Sequence, residues 1–257
     1  MKIERVLAPN PGPFTATGTN TWIVDGDGIV AIIDPGPLDR VHERAIVARL
    51  GERSVAAVVV THTHEDHAPL ANPLAGTLGV PAYGFGPGPG FDPDERLADG
   101  SRIAVGAVDL EVVHTPGHAE DHLCFLADRV LFTGDHIMGG SSVMVEDMTG
   151  YLRSLERVKR LRATKFYPGH GEVVEDPAGI IDWYVAHRLE RERQILVAVK
   201  AGASTVPEIV DVVYREVDPS LHPLAARSVG AHLRKLEEGG AVRWTSESVV
   251  PADGDAS

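Results

Sequence analysis

Cysteine is nearly absent from this chain, since Cys124 is the only one among 257 residues. One cysteine excludes an intrachain disulfide and a thiolate-rich metal site. Long apolar runs are also missing: the longest, residues 55–60, has six residues, whereas a membrane span needs about 20. We therefore expect no membrane partner. The charged start, with Lys2, Glu4 and Arg5, predicts a cytoplasmic protein and not an exported one.

Positive charge is in short supply as well. The chain has 24 Lys and Arg against 37 Asp and Glu, which gives a formal net charge of −13. Such a balance disfavours long-range attraction to nucleic acid, so we expect no duplex DNA partner. The acidity lies in residues 1–186, because residues 187–245 carry nine basic and eight acidic side chains.

What the chain does contain is typical of a folded α/β protein, with 43% hydrophobic and 24% charged residues. Amphipathic helices are predicted at residues 38–50 and 151–162. Short β-branched runs lie around and between them, and they predict strands at residues 21–24, 29–33, 55–60, 108–113, 122–126 and 130–132. Strands interleaved with helices predict an α/β layered domain.

The pattern changes to helices after residue 176. Helices are predicted at residues 180–200, 206–217 and 221–238, and Thr205 with Glu208 forms a capping box at the second. A short hairpin is predicted from residues 241–244 and 248–250. Three helices and a hairpin are the order of a winged-helix unit. We therefore predict an α/β domain at residues 1–178 and a small helical, winged-helix-like domain at residues 179–257.

A dense polar segment, residues 61–67, follows directly from the apolar strand at residues 55–60. His62 and His64 are two apart, so in an extended backbone they point to the same side and can hold one metal ion together. Asp66 and His67 can face a second ion beside it. Imidazole and carboxylate ligands suit zinc and neighbouring transition metals.

Three more predicted strands are each followed by a residue of a metal-binding type, as the first one is. His118 follows the run at residues 108–113, Asp135 follows residues 130–132, and His170 follows a short run that begins at residue 165. A glycine directly precedes each of them. Open α/β sheets place their sites at the carboxyl ends of strands. Together these segments predict a metal site at one rim of the sheets.

The order His-x-His-x-Asp-His, then His, Asp and His, resembles the metallo-β-lactamase superfamily over residues 3–175. The resemblance implies a four-layer αβ/βα sandwich with a dinuclear zinc site, for which manganese or iron could substitute. One ion would be held by His62, His64 and His118, and the other by Asp66, His67 and His170, with Asp135 bridging both. Residues 10–14 and 18–21, with the helical C-terminal part, are similar to the branch called β-lactamase-like protein 2.

Such a site predicts hydrolysis, because two metal ions can hold and activate a hydroxide at neutral pH. Asp66 and Asp135 are the predicted catalytic residues, and Asp66 could orient the attacking oxygen or accept its proton. His122 is a candidate for substrate binding, whereas His114 and His136 are less strongly indicated as ligands. Ala119 departs from the threonine that is common in the superfamily after the third-motif histidine.

Three functions remain open. The first is hydrolysis of an ester, a thioester or a related bond in a small-molecule substrate, which the acidic N-terminal part favours. The second is endonucleolytic cleavage of single-stranded RNA, which the resemblance to the β-lactamase-like protein 2 branch implies. The third is a nucleic-acid-binding or protein-binding module with a metal-sensing domain. True zinc β-lactamases usually carry cysteine where Asp135 stands, so we do not expect antibiotic hydrolysis to be the native role.

Overall fold

Two β-sheets face each other in the computed structural model, which describes residues 1–140, 142–245 and 248–252. The first sheet has six strands in the order β1 to β6, namely Lys2–Leu7, Asn20–Asp25, Ile29–Ile33, Ser54–Val59, Ala82–Gly84 and Glu95–Arg96. The second sheet has five strands in the spatial order β11, β10, β9, β8, β7, namely Lys165–Pro168, Val130–Gly134, Leu123–Ala127, Val108–His114 and Arg102–Val105.

Both sheets mix parallel and antiparallel pairing. In the first sheet β1, β2 and β3 pair antiparallel, whereas β3, β4, β5 and β6 run parallel. In the second sheet β7 to β10 form antiparallel pairs, and β11 joins β10 in parallel. A parallel pair needs a crossover connection. Helices provide it from β3 to β4, from β4 to β5 and from β10 to β11, whereas residues 85–94 join β5 to β6 without a helix. The carboxyl ends of β4, β8, β10 and β11 can therefore meet at one rim.

Helices cover the outer face of each sheet. The helices α1 (Arg40–Leu50) and α2 (Ala71–Leu78) pack on the first sheet, and α3 (Met148–Leu161) and α4 (Pro177–Lys200) pack on the second. A third apolar cluster fills the space between the sheets. The predicted four-layer αβ/βα sandwich is confirmed.

The strand β3 shows why the layers form. Its sequence is apolar throughout, and neighbouring side chains point to opposite faces of the sheet. Ile33 packs between the sheets, whereas Val30 and Ile32 pack against the outer helices. A strand that buries both faces requires a layer on each side, so an uninterrupted apolar run favours the sandwich.

The C-terminal part has its own core. It contains α5 (Val206–Val213), a 3₁₀ turn (Pro219–Leu221), α6 (His222–Glu238) and the hairpin β12 (Val242–Trp244) and β13 (Val249–Pro251). Ile209, Val229 and Leu233 pack together with Ile195 and Val199 of α4. The predicted winged-helix-like unit is present, and the capping box of Thr205 and Glu208 forms as predicted.

The predicted elements agree with the observed ones within about two residues at most ends. The helix predicted at residues 206–217 is shorter and ends at Val213. The strands β1, β5, β6 and β7 and the helix α2 were not predicted. Among the described residues no helix is long and apolar enough to span a membrane. The predicted boundary at residue 178 stays a prediction, because α4 contributes to the cores of both parts.

Candidate metal centre

Four chain segments bring polar side chains to one rim of the sandwich, each just beyond the end of a strand. They follow β4, β8, β10 and β11. Seven side chains form three overlapping groups, within each of which all ligand atoms lie within 4.8 Å of one another. The seven are His62, His64, Asp66, His67, His118, Asp135 and His170. The structure therefore brings together every ligand residue predicted from the sequence.

The first group consists of three imidazoles with nitrogen atoms facing a common point. His62 Nε2 lies 2.9 Å from His64 Nδ1, and His118 Nε2 lies 3.0 Å from His64 Nδ1 and 3.3 Å from His62 Nε2. A tetrahedral zinc ion with metal–nitrogen distances of about 2.0–2.1 Å spaces its ligands about 3.3 Å apart. The three nitrogen atoms therefore fit one divalent cation.

The second group combines Asp66 with two imidazoles. Asp66 Oδ2 lies 3.0 Å from His170 Nε2 and 3.4 Å from His67 Nε2. The two imidazole nitrogen atoms are 3.2 Å apart. Asp135 stands between the groups, with Oδ1 at 3.4 Å from both His67 Nε2 and His170 Nε2, and Oδ2 at 3.8 Å from His118 Nε2. One carboxylate thus faces both groups, as a bridging ligand would.

The outer ring nitrogen of four of these histidines has an acceptor of its own. His67 Nδ1–H donates to Asp34 Oδ2 at 2.9 Å, His118 Nδ1–H to Met144 O at 2.7 Å, and His170 Nδ1–H to Gly18 O at 3.2 Å. His62 Nδ1–H donates to Thr61 Oγ1 at 3.0 Å. A proton on the outer nitrogen leaves the inner nitrogen with its lone pair directed at the centre. This is how proteins orient metal-ligating histidines.

Negative charge dominates the second group. Burial alone would lower the pKa of His170. Asp135 and Asp66 raise it by a larger amount, so the resulting pKa is about 9. Burial would raise the pKa of Asp135, but the neighbouring His170 and His67 hold it well below the usual range. Asp135 Oδ1 is also buried without a hydrogen-bond partner among the described residues. Carboxylates in this state favour a cation between them, so the donor set fits a metal ion.

Glycine allows the segments to approach closely. A Cβ atom at Gly169 would lie 2.6 Å from Asp135 Oδ1 and 2.7 Å from His67 Cε1. Gly134 has a φ of +46°, and a Cβ there would lie 2.8 Å from His122 Nε2. Any larger residue at these positions would displace a ligand or a group that holds one.

A cleft of about 680 Å³ opens above the cluster. His64, Asp66, His118 and Asp135 lie on its floor. Apolar side chains form much of its wall, namely Pro13, Phe14, Met138, Val143 and Met144. Glu65, Glu146 and Arg227 supply the charged groups around the rest of it. The size is that of a small-molecule site.

His122 does not line this cleft. Its ring is fully buried behind the metal centre, where Nδ1 lies 2.9 Å from Thr115 Oγ1 and Nε2 accepts from the Asp135 N–H at 3.1 Å. The expectation that His122 binds substrate disagrees with this placement, because both ring nitrogen atoms already have partners inside the protein. His114 lies away from the centre and bonds Glu120 O, and His136 is buried against Tyr151.

Asp34 was not found from the sequence. Its carboxylate accepts hydrogen bonds from the Thr61 N–H at 2.7 Å, from Thr61 Oγ1 at 2.7 Å and from His67 Nδ1 at 2.9 Å. It therefore fixes the start of the polar segment and one imidazole. Its position could have indicated it, because Asp34 comes directly after the apolar strand β3 and the other site residues also follow the ends of strands.

The C-terminal part also reaches the site, through residues 142–146, which we call the wall segment. Arg188 of α4 donates to Ser142 Oγ and Val143 O, and Arg234 of α6 donates to Glu146 O at 2.8 Å. From the other side, His118 bonds Met144 O. The cleft wall is thus held by a metal-site histidine and by two arginines of the helices after residue 176.

Two family models match the chain. The metallo-beta-lactamase superfamily model covers residues 14–170, and the model of the beta-lactamase associated winged helix domain covers residues 205–248. The first match contains all seven residues of the centre. The two matches therefore agree with the two parts of the fold, the sandwich and the C-terminal winged-helix-like unit.

Similar proteins cover nearly the whole chain. The beta-lactamase-like protein 2 homolog of Drosophila melanogaster is 33% identical over 94% of this chain and 89% of its own length. The atrochrysone carboxyl ACP thioesterase AgnL7 of Paecilomyces divaricatus is 34% identical over 95% of this chain and 82% of its own. The solved structure of a beta-lactamase domain protein from Burkholderia ambifaria has the same fold, with a TM-score of 0.85, 23% identity and coverage of 97% and 91%.

Proposed function

Because the chain belongs to the metallo-β-lactamase superfamily, we propose that it is a dinuclear metal hydrolase that cleaves the thioester or ester bond of an acyl substrate. The observation that carries the proposal is the convergence of the seven side chains on the floor of a cleft with apolar walls. Zinc is the proposed metal, with manganese and iron as alternatives. We also retain the prediction that the protein is cytoplasmic.

His62, His64 and His118 would hold one ion, Asp66, His67 and His170 the other, and Asp135 would contact both. A divalent cation bound there supplies Lewis acidity, which lowers the pKa of water to about 7 and polarises a carbonyl oxygen. The remaining chemistry belongs to the side chains of this protein.

Asp66 is placed to orient an attacking water. Burial would raise its pKa, but His67 and His170 lower it well below the usual range, so the carboxylate is ionised at neutral pH. Its side chain is 26% exposed and lies on the floor of the cleft. It can therefore accept a hydrogen bond from an attacking water and orient it, whereas the lowered pKa makes it a weak proton acceptor.

The walls of the cleft favour an apolar acyl group. Phe14, Met138 and Val143 would bury such a group beside the centre and exclude bulk water. In the reaction the water oxygen bonds to the acyl carbon and the carbon–sulfur bond breaks. The thiolate then takes up a proton, which leaves a carboxylic acid and a thiol. A relative that carries the name of an acyl-carrier thioesterase, at 34% identity, supports the thioester as the first choice.

Single-stranded RNA is a weaker alternative. Glu65 and Glu146 lie at the cleft, and the chain carries a net charge of −13. These charges would repel a polyanion, whose binding depends on neutralising several phosphates. No feature of the described residues specifically favours a binding module with a metal-sensing domain. Such a module would also leave the cleft without a use.

The test is a substrate panel with the metal-loaded protein and its Asp135→Asn variant. The panel contains an acyl thioester, a lactone, a chromogenic β-lactam and a single-stranded RNA. We expect thioester hydrolysis, about two transition-metal ions per chain by elemental analysis, and a loss of at least about 100-fold in the variant. RNA cleavage without thioester hydrolysis, or full activity without metal, would contradict the proposal.

A further inference from the structure

A second cavity of about 560 Å³ adjoins the catalytic cleft. It lies between the wall segment and the helices α5 and α6, with Trp244 of β12 on its far side. Met144, Glu146 and Arg227 line both the cavity and the cleft. The cleft and the cavity therefore lie side by side and share part of their lining, so a molecule long enough to pass Arg227 could contact both.

We propose that this cavity is a subsite for the thiol-side arm of the substrate, and that it recognises a phosphate group on that arm. The inference rests on the proposed thioesterase function and adds the chemical class of the leaving group to it. In this arrangement the acyl group occupies the apolar cleft, the thioester lies at the metal centre, and the arm runs past Arg227 into the cavity.

The charges in the cavity support an anionic ligand. Its lining contains two guanidinium groups, Arg227 and Arg234, and one carboxylate, Glu146. The lining is thus net positive in a chain of net charge −13. Guanidinium groups bind phosphate through paired, charge-assisted hydrogen bonds.

The two arginines differ in how firmly they are held. Arg234 donates to Glu146 O at 2.8 Å and lies 5.9 Å above the Trp244 ring, so its position is set by the fold. Among the described residues, the one polar contact of the Arg227 side chain is a long one of 3.5 Å with Glu146 Oε1, and both side chains are more than half exposed. Such pairs contribute little to stability. Arg227 can therefore exchange this carboxylate for a phosphate with little effect on the fold.

Gly230 keeps the cavity open. It lies in the middle of α6, where glycine is less favourable than alanine, and it lines the cavity. The nearest atom that a Cβ there would meet is Trp244 Cη2, at 3.6 Å. The absence of a side chain thus leaves space between α6 and the indole ring.

The size of the cavity favours one phosphate over a nucleic acid strand. A volume of about 560 Å³ corresponds to a small molecule. Binding of a polynucleotide requires contacts with several phosphates, whereas this cavity supplies two guanidinium groups beside a carboxylate. A linear arm with a single phosphate matches both the volume and the charge.

The experiment compares thioesters of one acyl group on two arms, 4′-phosphopantetheine and pantetheine, which differ only in the phosphate. We expect the metal-loaded protein to show a kcat/KM about tenfold higher for the phosphorylated arm, mainly through KM. In Arg227→Ala this preference should disappear. Arg193→Ala is the matched control, because it removes the same charge from an exposed pair with Glu190 outside both cavities, and it should keep the preference.

Gly230 gives a second, uncharged variant. Gly230→Leu would fill the cavity, so kcat/KM for both pantetheine arms should fall relative to the short N-acetylcysteamine thioester. Gly230→Ala should have a smaller effect in the same direction. An equal loss for the long and short arms would contradict the subsite, because it would indicate general damage to the site.

Direct binding separates this proposal from the proposed function. Calorimetry with free 4′-phosphopantetheine and pantetheine needs no turnover, and we expect the phosphorylated arm to bind about tenfold more tightly, in a manner that depends on Arg227. Equal binding or equal kcat/KM for the two arms would overturn the subsite even if thioesters are hydrolysed. Arg227-dependent binding of an RNA oligonucleotide without binding of 4′-phosphopantetheine would overturn it in favour of RNA.

Discussion

The backbone N–H of Asp135 donates to His122 Nε2 at 3.1 Å, and His122 Nδ1 is bonded to Thr115 Oγ1. A buried imidazole thus holds the backbone of the proposed bridging residue from behind. At the scale of single residues, the candidate metal centre depends on such partners as much as on the predicted ligands themselves. Asp34 acts in the same way on Thr61 and His67.

Replacing His122 tests this support. His122→Phe keeps a buried ring of similar size but leaves the Asp135 N–H without an acceptor, so we expect metal affinity to fall about 10- to 100-fold. His122→Gln, which restores an acceptor, should recover part of the loss. The measurement is metal titration with a competing chelator. His114→Phe is the control, because His114 bonds Glu120 O and no ligand; unchanged affinity in His122→Phe would contradict the role.

His42 should make stability depend on pH. Burial holds the pKa of His42 below its usual value of 6.5, although Asp39 raises it in part. The folded protein therefore binds fewer protons at His42 than the unfolded chain does. Its contribution to stability is fully present above about pH 6.5 and is lost as the pH falls toward the folded-state pKa, by at most about 1.4 kcal/mol per pH unit.

The comparison that isolates this effect is His42→Gln, which has no titrating ring. Urea unfolding between pH 7.5 and 5 should show a steeper loss of stability in the wild type than in the variant. Parallel curves over this range would show that the proton on His42 has no effect on folding.

At the scale of elements, the start of α5 depends on a reciprocal cap. Thr205 Oγ1 accepts from the Glu208 N–H, and Glu208 Oε2 accepts from the Thr205 N–H at 3.1 Å. We expect Thr205→Ala to destabilise the protein by about 1 kcal/mol, or about 2–4 °C in Tm. Thr77→Ala is the control, because its hydroxyl bonds Pro73 O within α2 and caps no helix start. An equal or larger loss at Thr77 would contradict the role of the cap.

Elements with a clear local sequence signal were predictable, and those without such a signal were not. The apolar runs of β3 and β4 and the capping box before α5 are local signals that survive in any tertiary context. The helix α2 contains Pro73 and Gly76, which normally indicate a turn, but Pro73 stands in the first turn, where proline is tolerated. The strand β1 carries Lys2, Glu4 and Arg5 and gains its place by pairing with β2.

At the scale of the whole molecule, α4 joins the two parts. Ile181 and Tyr184 pack in the core of the second sheet, whereas Ile195 and Val199 pack in the C-terminal core. Arg188, between them, holds the wall segment. Changes in the C-terminal part can therefore reach the cleft through a continuous helix.

Metal removal should destabilise the whole protein. The centre joins segments that follow strands of both sheets, so an ion bound there stabilises the folded state by mass action. At a free metal concentration about 1,000-fold above Kd, the stabilisation is about 4 kcal/mol. Calorimetry with and without a chelator measures it, and Asp135→Asn should show a smaller difference. An unchanged Tm after verified metal removal would contradict a metal-dependent fold.

The sequence by itself indicated the α/β kind of fold and the seven side chains that the structure brings together, because strand periodicity, capping and the spacing of histidines are local properties of the chain. Tertiary structure decided the rest. Four features arise from contacts between segments that are distant in the chain. They are the burial of His122, the hydrogen bonds of Asp34, the bonds from Arg188 and Arg234 to the wall segment, and the cavity beside Gly230. Such contacts leave no periodic signal, because they depend on how the layers pack and not on which residues are neighbours along the backbone.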